Sequence, residues 1–197
     1  MVCDWRYSLS PILGIIASQN YQRITDTGDM FPIGVVTVGS GGASTITFSS
    51  IPATYTHLQI RGISRNTGAN SDATSYFNFN SDSASNYTIH YLQGNGSSGS
   101  ATGIAPAGGS WFTDTPGTST SSNIFATSVI DILDYANTNK FKVFRSLTGY
   151  DANGSGKVSL YSGLWRSTSA INSIVLVQNA GNFAQNSQFA LYGIKGV

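Results

Sequence analysis

The chain has 197 residues, of which only 10% are charged, and its formal net charge at pH 7 is +1. Soluble domains typically contain about 25% charged residues. A charge this low and this balanced creates no long-range field that would attract nucleic acid or an anionic membrane. We therefore expect neither nucleic acid nor an inserted membrane among the partners of the protein, and weak repulsion between its copies.

The composition favours an all-β fold. All nine acidic residues are aspartates, and the sequence contains 22 glycines, 10 tyrosines and 10 phenylalanines. Ser, Thr, Asn and Gly are mediocre to poor residues for helix interiors, whereas aromatic and β-branched residues are enriched in strands. The length fits one domain, and because Cys3 is the single cysteine, an internal disulfide network is excluded.

The N-terminal segment contains a short apolar stretch, PILGIIASQN, at residues 11–20. This stretch is much shorter than the ~20 apolar residues that span a bilayer. A secretion signal is disfavoured because the bulky Ile15 lies where a small residue is expected before a cleavage site. We predict that residues 1–32 form a docking arm that buries apolar side chains against a partner or against the flank of the domain. These side chains are Ile12, Leu13, Ile15 and Ile16.

From Ile33 onward, short runs of β-branched and aromatic residues are separated by Gly, Ser, Asn and Pro, a pattern typical of antiparallel strands. We predict about ten strands in a domain that spans residues 33–197. A two-sheet antiparallel β-sandwich satisfies the pattern most simply, and a barrel is the other arrangement. The predicted strands are 33–38, 44–49, 56–64, 75–80, 86–93, 124–132, 140–149, 157–167, 171–178 and 187–195.

Alternation within these runs predicts which side chains are packed. In STITFS, Ile46 and Phe48 share one face, while threonine and serine share the other. The same two-residue period predicts one packed and one solvated face in other strands. The side chains predicted to be packed there are Phe77, Phe79, Phe141, Val143, Ile174 and Leu176.

One long segment, residues 94–123, contains many Gly, Ser and Thr residues and is predicted to be an irregular loop. Loops of this length are uncommon in compact domains and are usually functional or disordered. Trp111 and Phe112 lie in the middle of the segment. They either anchor the loop over the sandwich or form part of a surface that contacts a partner.

Few residues in the chain could perform acid–base or nucleophilic chemistry. His57 and His90 are the two histidines, and both lie in predicted strands where packing or surface roles are expected. No serine lies in a G-x-S-x-G sequence. Most aspartates lie in turn sequences, where the role of the Asp side chain is to stabilise the turn. We therefore expect that the protein is not an enzyme and that it binds no cofactor.

The string DANGSG, with Asp151, Asn153 and Ser155, matches the start of a calcium-binding loop. The match fails at the twelfth position, where Ser162 replaces the bidentate glutamate that such a loop needs. Asn-Gly sequences also form hairpin turns, because both residues accept positive φ. A hairpin turn is the favoured interpretation, calcium the weaker one, and we predict no metal site.

Three blocks of the sequence resemble a family of bacteriophage virion proteins that is met mostly in tailed phages of aquatic bacteria and cyanobacteria. They are SIPATYTHLQIRG within residues 44–66, VIDILDYANTNKFKVFRSLTGYDANGSG at 129–156, and GLWRSTSAI with FALYGIK within 162–196. LGIIAS at 13–18 is similar to the apolar start of such proteins. The resemblance implies a jelly-roll-like sandwich in a tail fibre, a baseplate or a capsid decoration, and it brings no catalytic residues.

The resemblance implies a structural subunit of the virion, assembled in the host cytoplasm. We favour a tail-fibre or baseplate appendage over capsid decoration, because exposed loops on a sandwich suit contact with a host surface. Its expected partners are other virion proteins, copies of itself in a homo-oligomer with a trimer as the hypothesis, and a host-surface glycan. A carbohydrate-binding module is the further alternative, and Trp165 is expected in the core rather than on its surface. The candidate sugar platforms are Trp111, Tyr150, Tyr161 and Trp165.

Overall fold

The computed structural model describes residues 30–196. They form an all-β fold of twelve strands, and no helix among them is long and apolar enough to cross a bilayer. The strands are β1 (Met30–Thr37), β2 (Thr45–Phe48), β3 (His57–Ser64), β4 (Asp72–Phe79), β5 (Tyr87–Gly94), β6 (Gly99–Ala107), β7 (Ser110–Pro116), β8 (Ala126–Leu133), β9 (Lys142–Asp151), β10 (Gly156–Trp165), β11 (Ile174–Gln178) and β12 (Gln188–Ile194).

The strands form two antiparallel sheets that pack face to face, and the predicted sandwich class is confirmed. The larger sheet has eight strands in the order β1-β12-β3-β8-β9-β10-β5-β6, and the smaller has four in the order β2-β11-β4-β7. The last strand, β12, lies between β1 and β3, so the two ends of the described chain are neighbours. The smaller sheet and the β1-β12-β3-β8 part of the larger sheet pair strands that are distant in sequence, whereas β8-β9-β10 and β5-β6 pair consecutive strands, and together these pairings give the jelly-roll-like connectivity.

An aromatic cluster fills one part of the space between the sheets. The ring of Phe77 lies 4.7 Å from the rings of both Phe79 and Phe144 and 5.8 Å from that of Phe112. Trp165 is buried against Phe79, which confirms its predicted place in the core. Aromatic pairs at these separations stabilise a core beyond the area that they bury.

The prediction of an irregular loop at residues 94–123 is wrong, because the segment contains β6 and β7. Phe112 lies on β7 and is completely buried, with its ring 6.2 Å from Phe189, so it belongs to no contact surface. The strand β6, GSATGIAPA, has few β-branched and no aromatic residues, and it is an edge strand, where Pro106 is tolerated. Propensity therefore gave no signal for it.

The predicted packed face of β9 is also wrong. Phe141 and Val143 are 47% and 46% exposed, while Phe144 and the hydroxyl residues Ser146 and Thr148 point inward. The interior accepts these polar groups because they have partners: Ser146 Oγ donates a hydrogen bond of 2.6 Å to the carbonyl of Phe112. The other packed positions are confirmed: Ile46, Phe48, Phe77, Phe79, Ile174 and Leu176 are buried.

Candidate functional site

The outer face of the eight-stranded sheet, which points away from the core, presents a row of apolar side chains. The row crosses four adjacent strands, β8, β9, β10 and β5, because its members are direct cross-strand neighbours. Leu147 and Leu160 at its centre are 59% and 46% exposed. This apolar row consists of Val129, Leu147, Leu160 and Leu92.

Two further cross-strand rows flank the apolar row on the same four strands. One of them, the glycine row, contains one large side chain among small residues: Thr127, Gly149, Val158 and Gly94. The other, the polar row, consists of Asp131, Arg145, Ser162 and His90. The apolar row is thus bordered by the uncharged glycine row on one side and by the polar row on the other, and beyond the polar row lie the exposed Leu133 and Val143.

The polar row is ordered by its own hydrogen bonds. Arg145 Nε lies 3.2 Å from Asp131 Oδ2, and Gln59 Nε2 donates a hydrogen bond of 2.8 Å to Asp131 Oδ1. The Arg145 side chain is nevertheless 71% exposed, so its ion pair with Asp131 is solvated and contributes little to the stability of the fold. The Arg145–Asp131 ion pair therefore orders charged groups on the surface but is not required to stabilise the fold.

The surface above the glycine row is concave. A groove of about 690 Å³ lies there, between Leu147 and Val158 and the turn that joins β9 to β10. A Cβ atom at Gly149 would lie 2.8 Å from the carbonyl oxygen of Lys157, which is closer than real contacts allow. Glycine at position 149 therefore permits the close approach of β9 and β10. It also leaves the groove open beside the exposed side chain of Val158.

Burial of the apolar row against a partner would contribute favourable free energy to association. Full burial of one Val or Leu side chain is worth about 1.5–3 kcal/mol, so covering four that are roughly half exposed gives about 3–6 kcal/mol. Contiguous exposed apolar patches on soluble proteins mark binding surfaces more often than chance. The outer face is the strongest candidate for an interaction site in the described part of the chain.

A second candidate is an aromatic groove of about 370 Å³ at the edge of the smaller sheet. Trp111 and Tyr76 line it as cross-strand neighbours on β7 and β4, and both are partly exposed. The ring of Trp111 lies 5.9 Å from that of Tyr91, which braces it. Asn179 and Ser83 supply hydrogen-bonding groups at the rim of the aromatic groove.

Of the four candidate sugar platforms, the structure excludes Tyr161, and Trp165 has the core position that was expected for it. Tyr161 and Trp165 are almost completely buried between the sheets, because odd-numbered positions of β10 point inward. Tyr150 is partly buried, and burial, followed by the nearby Asp72, raises its pKa to about 12. Trp111 is the member of the predicted set that lines the aromatic groove.

A largely buried charged cluster between the sheets is structural. Lys157 Nζ lies 2.6 Å from Asp72 Oδ2 and 3.6 Å from Asp114 Oδ2, and the Tyr161 hydroxyl donates a hydrogen bond of 2.7 Å to Asp114. Burial opposes the charge of Lys157, but the two carboxylates outweigh it and raise the pKa of Lys157. Burial and Asp114 raise the pKa of Tyr161. These groups satisfy one another.

The two histidines lie on different strands, and His57 Nδ1 lies 3.6 Å from Asp134 Oδ1. His57 Nδ1 accepts a hydrogen bond of 3.0 Å from the Asp134 backbone N–H, and Asp134 itself forms an ion pair with Lys140. His90 is exposed on the outer face beside Gly103. Within residues 30–196, no group of three or more His, Cys, Asp or Glu side chains could hold a metal ion.

The DANGSG string forms the hairpin turn between β9 and β10. Asp151 Oδ1 accepts hydrogen bonds from the backbone N–H groups of Asn153 and Gly154, at 2.7 and 3.4 Å. Asn153 and Gly154 both have positive φ, 60° and 95°, as the hairpin interpretation requires. Ser155 Oγ donates a hydrogen bond of 3.4 Å to the carbonyl of Ala152.

The predicted docking residues cannot be compared with the fold. Ile12, Leu13, Ile15 and Ile16 lie outside the described residues. The first strand begins at Met30, three residues earlier than predicted, so the predicted arm and the sandwich overlap by a few residues.

No protein-family model matches the sequence, and no curated protein matches it. The crystal structure of galectin LEC-6 from Caenorhabditis elegans is similar over 82% of this chain and 96% of that chain, with 8% identity and a TM-score of 0.29. A fructofuranosidase variant from Schwanniomyces occidentalis, complexed with fructosylnystose, is similar over 87% of this chain but 35% of that chain, with 9% identity and a TM-score of 0.26. Both similarities are weak, and neither assigns a function.

Proposed function

We propose that the chain is a structural subunit of a tailed-phage virion, located in a tail-fibre or baseplate appendage, with no catalytic role. Capsid decoration is the alternative position. The class of assembly comes from the resemblance of the three sequence blocks. An assembly role is supported by one structural observation above others, the exposed apolar row on the outer face.

The apolar row favours a subunit over a free monomer for an energetic reason. Within residues 30–196 no segment covers the outer side of the larger sheet, and four exposed apolar side chains in one line are a cost in water. The small net charge adds no repulsion against close packing with neighbours. A subunit that is buried in an assembly recovers the cost.

Virus particles purified from a culture that carries this gene provide the test. We expect peptides from the chain to be found by mass spectrometry in particles that have been washed at high salt, and in the tail fraction after the particles are disrupted. Their presence with the capsid fraction would select the decoration role. Detection only among the unassembled proteins would contradict the proposal.

The predicted docking arm can be tested in the same particles. A chain that lacks residues 1–20 should keep the circular dichroism and the cooperative melting of the sandwich, but it should not be incorporated. Normal incorporation of the truncated chain would refute the docking role of Ile12, Leu13, Ile15 and Ile16.

Carbohydrate binding is the second candidate, and the aromatic groove favours it. Sugar rings stack on exposed aromatic faces, and their hydroxyls bind amide and hydroxyl groups such as those of Asn179 and Ser83. On a glycan array, wild-type protein should show saturable binding that Trp111→Ala abolishes. Phe141→Ala, which removes an exposed ring elsewhere, is the matched control. Absence of binding by the wild type would exclude this function.

A further inference from the structure

We propose that the outer face of the eight-stranded sheet binds a second copy of this chain, forming a two-fold symmetric dimer. The inference rests on the proposed assembly function and names the partner of the apolar row. The argument for this occupant is that the apolar, glycine and polar rows are each complementary to themselves. A two-fold interface requires this property, because the same patch must serve both copies.

The required symmetry axis follows from the order of the strands. An axis parallel to the strands and between β9 and β10 exchanges β9 with the partner's β10, and β8 with the partner's β5. Two sheets packed in this way lie about 10 Å apart, with strand directions within about 30° of each other. Residues nearest the axis therefore meet most directly.

The apolar row meets itself across this axis. Leu147 faces the partner's Leu160, and Val129 faces the partner's Leu92. All four members are thus covered by apolar side chains in the dimer, and the contact is repeated on the other side of the axis. No other centre along the row pairs all four of its members.

The glycine row matches in size. Val158, which is among the most exposed large hydrophobic side chains, faces the partner's Gly149, and Thr127 faces the partner's Gly94. A protruding side chain therefore meets an open position, where the groove of about 690 Å³ has room for it. The Cβ position of Gly149 is bordered by Cγ2 of Val158 in the same copy, at 3.4 Å, so the space for the partner's valine lies in the groove beside it.

The polar row matches in charge. Asp131 faces the partner's His90, and Arg145 faces the partner's Ser162, so that no like charges meet. The carboxylate gains a donor and the guanidinium gains a hydroxyl acceptor. Any axis that placed Arg145 over the partner's Arg145 would instead bring two cations together.

The size of the sheet supplies a control position. With this axis, the partner's edge strand β6 lies over β3. The strands β12 and β1 therefore extend beyond the contact. Val35 on β1 is 57% exposed, almost as much as Leu147, but it lies outside the predicted interface. The same substitution can therefore be compared inside and outside the contact.

The test measures the mass of the purified full-length chain by sedimentation equilibrium over a range of micromolar concentrations. We expect twice the 20.8 kDa mass of one chain for the wild type and for Val35→Asp. Leu147→Asp should weaken association by about 100-fold or more, because it places an unpaired carboxylate against the partner's Leu160. Circular dichroism and thermal melting verify that each variant is folded.

A mixture of two variants tests the position of the axis. Leu160→Lys should also be monomeric alone, but an equal mixture with Leu147→Asp should form heterodimers, since the introduced carboxylate of one copy then meets the introduced ammonium of the other. A monomeric or trimeric wild type, a dimer that survives both substitutions, or a mixture that stays monomeric would overturn the proposal. Incorporation into particles is a separate measurement, so failure of the dimer and failure of the virion role are distinguishable.

Discussion

The two faces of the eight-stranded sheet use the same strands for opposite purposes. On β9, Phe144, Ser146 and Thr148 point inward, and the two hydroxyl groups hydrogen bond to other strands of the sandwich. Val143 and Leu147 alternate with them and point into solvent. The comparison teaches that polarity does not identify the interior here: the inner face of β9 combines a packed ring with hydrogen-bonded hydroxyl groups, and the outer face is apolar where a partner is proposed.

The largest expected difference between the faces is in stability. Phe77→Ala removes a completely buried ring that contacts three other rings, and it should lower the free energy of unfolding by about 3–5 kcal/mol. Phe141→Ala makes the same chemical change at an outward position and should cost about 1 kcal/mol or less. Denaturant unfolding measures both. Equal losses would mean that the outward face contributes to the core.

The sequence alone predicted the sandwich class and most strands, because alternating β-branched and aromatic runs such as STITFS are unambiguous when their polar faces carry only Ser and Thr. It could not predict the orientation of β9. Both alternating sets there are mixed: one contains Lys142, Phe144 and Ser146, and the other contains Val143, Arg145 and Leu147. Only the partners of the polar groups decide which set is inside, and those partners come from distant strands.

The candidate site was harder to predict than the fold. The apolar row has one residue on each of four strands that are separated by up to 68 positions along the chain, from Leu92 to Leu160. Its members become neighbours only through the strand order, which no local pattern contains. Trp111, by contrast, was found from its residue type, although its segment was wrongly predicted to be a loop.

A smaller effect is expected in the connection between β4 and β5, where Asp82 accepts a hydrogen bond of 2.7 Å from the buried Trp165 Nε1. Asp82→Ala leaves this N–H without its acceptor and should cost about 1–3 kcal/mol. Asp82→Asn, which keeps an acceptor, should cost less. Thermal or denaturant unfolding distinguishes the two, and equal costs would show that the charge of Asp82, rather than its hydrogen bond, stabilises the fold.

Asp82 also predicts a dependence on pH. The hydrogen bond from Trp165, followed by those from Asn86 and the Ala84 backbone, lowers the pKa of Asp82 in the folded protein despite partial burial. Its stabilisation is therefore complete above the unfolded pKa of about 4 and is lost as the pH falls through the lower folded value. In unfolding experiments between about pH 5 and about pH 2, the wild type should lose more stability than Asp82→Asn.

Alkaline pH probes the inner face through Tyr87. Burial raises the pKa of Tyr87 to about 12, although its hydroxyl accepts a hydrogen bond from the Phe79 N–H. A raised folded pKa gives stability that is complete below the ordinary value of about 10 and is lost as the pH rises toward 12. Just above pH 10 the loss should be about 1 kcal/mol. The difference in tyrosinate absorbance between the wild type and Tyr87→Phe reports the ionisation of Tyr87. If this difference appears at the ordinary pKa of tyrosine, the raised pKa of Tyr87 is contradicted.

The smallest effect on the folded monomer is expected on the outer face. Leu147→Ala, in dilute solution where dimers dissociate, should change the free energy of unfolding by about 0.5 kcal/mol or less, because the side chain is already 59% exposed. At higher concentration the wild type should melt at a higher temperature by mass action, and the variant should show a weaker rise. A large loss in dilute solution would assign Leu147 to the fold itself. A concentration-dependent difference alone would mean that the outer face, unlike the inner face, stabilises the protein only when a second copy covers it.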